Sequence, residues 1–414
     1  MFYYFQNNFD KYLSNFRGLS SLCWAAVIMT FLQCVAAGMC YFISLYFIND
    51  LHIGISTVGI MLSCYGGGRI IGGVLSGKLC DLYSPLKILI YSSIVQSVSF
   101  ALLAMVANPA LLIFIMLVMG ISSYSFRTAN DVWMLNNCGN DEKMRIKALN
   151  LTRVGMNLGL GVSGVIIGLL ADNGFKSIFY IFSAVLLFSA FYVAMQAGKI
   201  ATKNDVVEDV EKVVSANVKI LFIVLFSLFC VSLMIAQLGS TYPLYLVESF
   251  PNLGMKAVSI LYLLDTFLIV FVQAPLTNSL GSCNKMLVMG LGAFMMGAGM
   301  LILSLSHVFV MAILSCVIWT TGEMLFVPMS QLLCYENGGA KQQGQVMGIY
   351  QSVYAVGAVL GPAGGGFIYH QSGGNMVWYG CMLLGSISLF LSMLYMKSQV
   401  ISPGFYADAA TQEG

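Results

Sequence analysis

Charge is what this sequence has least of. Only 9% of its 414 residues are Asp, Glu, Lys or Arg, against roughly 25% in a soluble domain. A soluble globule of this size needs far more charge to cover its surface. With 19 basic and 17 acidic residues the formal net charge is +2. That excludes the basic footprint of a nucleic-acid binder. A disordered chain is excluded by a hydrophobic content of 59%. Histidine occurs 3 times, and the 11 cysteines are scattered without a CxxC pair. No metal site and no cofactor are therefore expected. The chain also lacks a nucleophile–base spacing and a phosphate-binding glycine loop, so it is not expected to be an enzyme. Residues 1–18 lack the basic leader, apolar stretch and cleavage site of a signal peptide. Their Phe and Tyr side chains suggest an interfacial segment lying on a membrane.

What is present is apolar sequence in long runs. About 20 residues span a bilayer as a helix. Twelve runs qualify: 20–48, 55–79, 87–107, 110–134, 147–171, 177–197, 218–246, 256–279, 285–305, 308–334, 345–369 and 377–397. In lipid every backbone polar group must be satisfied internally, so these runs predict an all-α membrane protein with twelve transmembrane helices. With the first residue inside, fourteen Lys and Arg fall in inner segments and helix ends, and only Lys176 and Lys256 fall outside. This bias places both termini in the cytoplasm.

The longest polar stretch between spans covers 198–217 and divides the spans six and six. The expected organisation is an interfacial segment (1–18), a six-helix bundle (19–197), a cytoplasmic linker (198–217), a second six-helix bundle (218–397) and a cytoplasmic tail (398–414). The two bundles are pseudo-symmetric, with an offset of about 198 residues. Gly159 to Gly168 in the fifth span matches Gly357 to Gly366 in the eleventh, and Arg153 falls opposite Gln351. Two such repeats with a site near the midplane are a common transporter plan.

On these features the chain resembles the major facilitator superfamily. The loop after the second span is similar to its motif A, with Gly77, Asp81 and Lys87 in place and Leu82, Ser84 and Leu86 departing from it. Arg127, within Ser-Phe-Arg-Thr-Ala, is similar to the motif B arginine. The GxxxGPxxGG pattern of motif C lies in the eleventh span, on Gly357, Gly361 and Pro362; in the family's antiporters it belongs in the fifth, where this chain has Gly164. The stretches from Gln237 to Tyr245 and from Thr321 to Pro328 resemble bacterial members of the twelve-helix drug:proton antiporter group.

A charge in the bilayer core is costly and usually paired or functional. Six lie deep within spans, away from their ends: Arg69, Arg127, Asp131, Arg153, Asp265 and Glu323. The arginines offer forked donors for an anionic substrate, and a desolvated carboxylate is the chemistry that loads and releases a proton near neutral pH. The expected substrate-binding set is Arg69, Arg127, Arg153, Asn157, Gln33, Tyr41, Gln237, Tyr242 and Trp319. Glu323, Asp265 and Asp131 are the expected proton-coupling set. Each of these charges also has a structural alternative, such as an Arg127–Asp131 ion pair at the inner gate. Gly77, Asp81 and Lys87, with Gly357, Gly361 and Pro362, are expected to form gate parts. There Asp81 would accept bonds from the start of the eleventh span.

The resemblance implies a monomeric, proton-driven secondary transporter of a small molecule, working by alternating access in a bacterial inner membrane. Export of a drug-like or anionic metabolite is the leading expectation. Uptake of a carboxylate, an amino acid or a carboxylate siderophore is the alternative, with a lipid flippase or a transporter-like sensor behind it.

Overall fold

Local sequence sets where the helices begin. In the computed structural model, which describes residues 18–139, 141–170, 174–201, 216–280, 283–305, 308–339 and 341–401, Asn108 caps the fourth span by accepting from Ala110 N at 2.9 Å, with Pro109 at the first helical position. Asn284 does the same for the ninth span, from Met286 N at 2.9 Å. A short polar acceptor followed by a residue that needs no N–H bond is a helix start readable in sequence.

Among the described residues, twelve helices are long and apolar enough to cross a membrane. They are α1 (Ser21–Ala37), α2 (Ile55–Leu82), α3 (Pro85–Met105), α4 (Pro109–Asn136), α5 (Glu142–Leu170), α6 (Phe175–Ala201), α7 (Val218–Leu238), α8 (Met255–Ser279), α9 (Lys285–Ser304), α10 (Phe309–Asn337), α11 (Gln343–Ser372) and α12 (Gly374–Ile401). No strand occurs among the described residues. The chain is a multi-pass, all-α membrane protein. The interfacial reading of 1–17, most of the linker and the tail from 402 onward lie outside the described residues.

Two spans expected to be continuous are broken. The first run ends its α-helix at Ala37, continues as a 3-10 turn (Gly38–Tyr41), and ends in a π-helical turn (Tyr46–Asp50). The seventh stops at Leu238 and resumes as a short helix (Thr241–Ser249) after Gly239 and Ser240. Continuous hydropathy conceals such breaks, because hydropathy reports length in lipid and not dihedral angles.

Packing separates the chain into two compact units. The first holds α1 to α6 together with Val270–Asn278 of α8 and Gly338–Val359, which includes the first part of α11. The second holds α7, the rest of α8, α9, α10, the rest of α11 and α12. In the first unit, Tyr46, Phe47, Phe100, Phe179 and Phe182 form a fully buried aromatic core. Tyr46 donates its hydroxyl to the Leu103 carbonyl at 3.0 Å.

Glycine sets the closest helix approaches. A Cβ at Gly72 of α2 would lie 2.9 Å from the Ile121 Cα of α4, and one at Gly68 would lie 3.2 Å from the Gly120 Cα. In the second unit, a Cβ at Gly292 of α9 would meet the Gly322 carbonyl of α10 at 2.8 Å. Small residues at such crossings let membrane helices gain dispersion contact where the hydrophobic effect between helices is absent.

Candidate functional site

The close α2–α4 approach brings Arg69 onto Tyr124. The Arg69 guanidinium donates to the Tyr124 hydroxyl and stands 4.4 Å from that ring's centroid and 5.9 Å from the Tyr65 ring. Arg127, one turn beyond Tyr124 on α4, lies 5.8 Å from the same ring and 5.4 Å from the ring of Tyr354. Two half-buried cations thus share one tyrosine. Desolvated cation–π contacts of this kind contribute about 2 kcal/mol, too little to neutralise a charge. The Arg69 Nε is buried without a hydrogen-bond partner. Tyr41, 74% exposed, lies within the electrostatic reach of Arg69.

Asp131 is buried, one turn past Arg127, and acts on it electrostatically. Its Oδ2 accepts from Gln351 Nε2 at 2.7 Å. Arg153 is buried on α5, and Asn157 donates to the Arg153 carbonyl at 3.0 Å, a contact within its own helix. Gln33 donates to Gln96 Oε1 at 2.7 Å, linking α1 to α3.

Two of the expected gate residues, Asp81 and Gly77, meet the start of α11. Asp81 accepts from Gly344 N and Gln345 N, both at 2.7 Å, at the first turn of α11. Free N–H groups and the helix dipole make that terminus an anion site. Gly77 lies against Gly344 and Gly348, since a Cβ there would meet the Gly348 Cα at 2.9 Å. Ser352 donates to the Ile70 carbonyl at 2.7 Å one turn further along. A second bridge joins α5 to α8: Asn150 donates to Thr277 Oγ1 at 2.5 Å and accepts from Gln273 Nε2 at 3.1 Å. Lys87 is exposed on α3 and lines a cleft of about 350 Å³ with Tyr83 and Tyr91.

In the second unit, Asp265 of α8 accepts from Thr320 Oγ1 at 2.9 Å. Trp319 and Tyr242 are fully buried and meet edge to face at 6.1 Å. Glu323 is half-buried on α10, next to the Gly322 that admits α9. Gln237 holds the α7 break: its Nε2 donates to the Gly361 carbonyl at 2.9 Å, and its Oε1 accepts from Thr241 Oγ1 at 2.9 Å. Gly361 is the motif C glycine, and its Cβ position is filled by Ala236. Pro362 lies inside α11, where it removes one backbone donor. Gly357 is buried in the same helix.

Sequence reading missed Tyr65, Tyr124, Tyr354, Gln96, Asn150, Gln273, Thr277, Gly344 and Gly348. A signal existed for two of them. Tyr65 stands four residues before Arg69 and Tyr124 three before Arg127, spacings that share a helix face. The others meet across helices and leave no local trace.

Comparison with known proteins agrees with this architecture. The profile of the Major Facilitator Superfamily matches residues 26–362. An uncharacterised MFS-type transporter of Bacillus subtilis (strain 168), YttB, is 23% identical over 367 residues, covering 86% of this chain and 89% of the relative. A second from that strain, YqjV, is 20% identical over 402 residues, covering 94% and 97%. Among solved structures, the human organic anion transporter MFSD10 (TETRAN) superposes with a TM-score of 0.69 at 13% identity, over 90% of this chain and 98% of that one; the likeness is one of fold. With twelve spanning helices and a family match over most of its length, the chain belongs to the major facilitator superfamily of transporters.

Proposed function

We propose that this transporter moves a small organic anion and couples that movement to the proton gradient. The observation that carries the reading is the Arg69–Tyr124–Arg127 cluster, in which two half-buried guanidiniums rest on aromatic rings. Forked donors over flat rings suit a carboxylate attached to a planar or apolar body. That MFSD10, which shares the fold, is an organic anion transporter is consistent with this substrate class. Asp131 is the first proton-coupling residue of the proposal, because it is buried one turn from Arg127. An anion arriving at Arg127 competes electrostatically with the ionised Asp131, which ties substrate binding to its protonation. Asp265 and Glu323 are the coupling groups proposed for the second unit.

The direction proposed is export across a bacterial inner membrane by a monomer with both termini in the cytoplasm, supported by the antiporter resemblance and by the bias of basic residues. One observation favours uptake instead. Gly164 stands where the antiporter pattern has proline, and a Cβ there would meet nothing within 4 Å, so no helix packs closely on α5 at that position.

The test is a melting-temperature screen of purified protein against carboxylates, amino acids, siderophores and cationic drugs. A bound ligand stabilises by mass action. The expected result is stabilisation by an anionic ligand that Arg69→Ala and Arg127→Ala both weaken at least about tenfold, or about 1.4 kcal/mol each. Stabilisation by cationic drugs alone overturns the substrate class. In proteoliposomes, uphill transport unchanged in Asp131→Asn, Asp265→Asn and Glu323→Gln overturns the coupling.

A further inference from the structure

Cys23 and Cys138 are 115 residues apart in sequence, yet their Sγ atoms lie 3.2 Å from each other. Each is placed by a helix end. Cys23 is in the first turn of α1, where its N–H donates to Ser20 Oγ, the N-cap, at 3.2 Å. Cys138 follows the end of α4, just before Gly139, whose φ of +67° turns the chain. Two further contacts hold the ends together. Ser20 Oγ donates to the Asn137 carbonyl at 3.4 Å, and Cys23 Sγ reaches the Met134 carbonyl at 3.9 Å.

We propose that Cys23 and Cys138 form a reversible disulfide that staples the inner ends of α1 and α4 when the cell meets peroxide. The sulfur atoms need to close by a little over 1 Å to reach the bond length of about 2.05 Å. No other His, Asp or Glu joins them in a group of three among the described residues, so the pair is not built to hold a metal. Cys138 is half-exposed and Cys23 is buried, which orders the chemistry. Hydrogen peroxide oxidises the accessible Cys138 thiol to a sulfenic acid, releasing one water. The Cys23 sulfur then attacks the Cys138 sulfur, forming the S–S bond, and the hydroxyl leaves with the Cys23 proton as a second water. Two thiols lose two electrons and two protons, and one peroxide becomes two waters. The basic residues place this end of the bundle in the cytoplasm, where a dithiol reverses the bond by exchange. Resting protein is therefore reduced.

The experiment uses the full chain in detergent, treated with hydrogen peroxide and quenched by alkylation under denaturing conditions. The expected result is loss of two of the 11 alkylatable thiols, with a cross-linked peptide joining Cys23 to Cys138. Dithiothreitol restores both thiols, and the oxidised protein melts several degrees higher. Cys138→Ser, at a half-exposed site, removes the cross-link and the melting shift together. Cys23→Ala leaves Cys138 to proceed to the sulfinic acid, read as a mass gain of two oxygens. The proposal is overturned if the mapped bond joins other cysteines, if both thiols survive peroxide, or if Cys138→Ser loses thiols as fast as the wild type.

Discussion

Replacing Asp81 by Asn tests whether the α2–α11 contact is a latch. Each carboxylate oxygen accepts one backbone N–H at 2.7 Å, from Gly344 and from Gln345. Asn keeps one acceptor and turns an NH2 donor toward the other N–H. It also removes negative charge from the start of a helix. A hydrogen bond to a charged group contributes about 1.5–3 kcal/mol, and charge at a helix end about 0.3–1 kcal/mol. Asp81 is exposed, so solvent screening reduces both contributions. A net loss of about 1–2 kcal/mol follows, which raises the open fraction about 5- to 30-fold. The native reporter is Cys80, which is 6% exposed and packed beneath Gly344, where an added Cβ would lie 2.9 Å from the Cys80 Cβ. Alkylation slower than opening and closing reads the open population. Site-resolved mass spectrometry after maleimide treatment should show Cys80 labelling faster by that factor in Asp81→Asn. Cys334, fully buried on α10, serves as the internal control and should not change. A Cys80 rate within about twofold of the wild type, in protein that remains monodisperse, would refute the latch, because a change that small is worth less than about 0.5 kcal/mol.

Three further perturbations probe the packing. Gly72→Leu drives a side chain into the α4 backbone at Ile121, where nothing flexible can yield; overpacking costs typically about 1–3 kcal/mol, so the melting temperature in detergent should fall clearly. Gln237→Leu removes the donors to Leu233 and Gly361 and the acceptor for Thr241, and should destabilise by about 1–3 kcal/mol through the unsatisfied groups left behind. Asn150→Ala leaves Thr277 and Gln273 without their α5 partner; a similar loss of about 1–3 kcal/mol is expected, and rescue by Asn150→Gln would show that geometry is not limiting.

The twelve spans were legible because a bilayer imposes a length and a polarity on every crossing segment. The helix starts at Asn108 and Asn284 were legible because capping is a bond between near neighbours. The Asp81 contact with α11 was legible because the motif resemblance put an acceptor at that helix start. The breaks after Ala37 and Leu238 were not, since each falls inside a run apolar enough overall to read as one continuous span.

The candidate site divides along the same line. The short list of intramembrane charges came from sequence alone, because charge in hydrocarbon is rare enough to stand out one residue at a time. Which partner each charge meets was decided by tertiary structure. Arg69 rests on Tyr124 because Gly68, Gly72 and Gly120 let two helices touch. Asp131 accepts from Gln351, 220 residues further along the chain, a partner no local pattern pointed to. Cys23 meets Cys138 only because two helix ends converge. In a chain whose helix faces are almost uniformly apolar, periodicity carries little orientation. Backbone close approach, set by glycines scattered through the sequence, fixes which polar groups share a space.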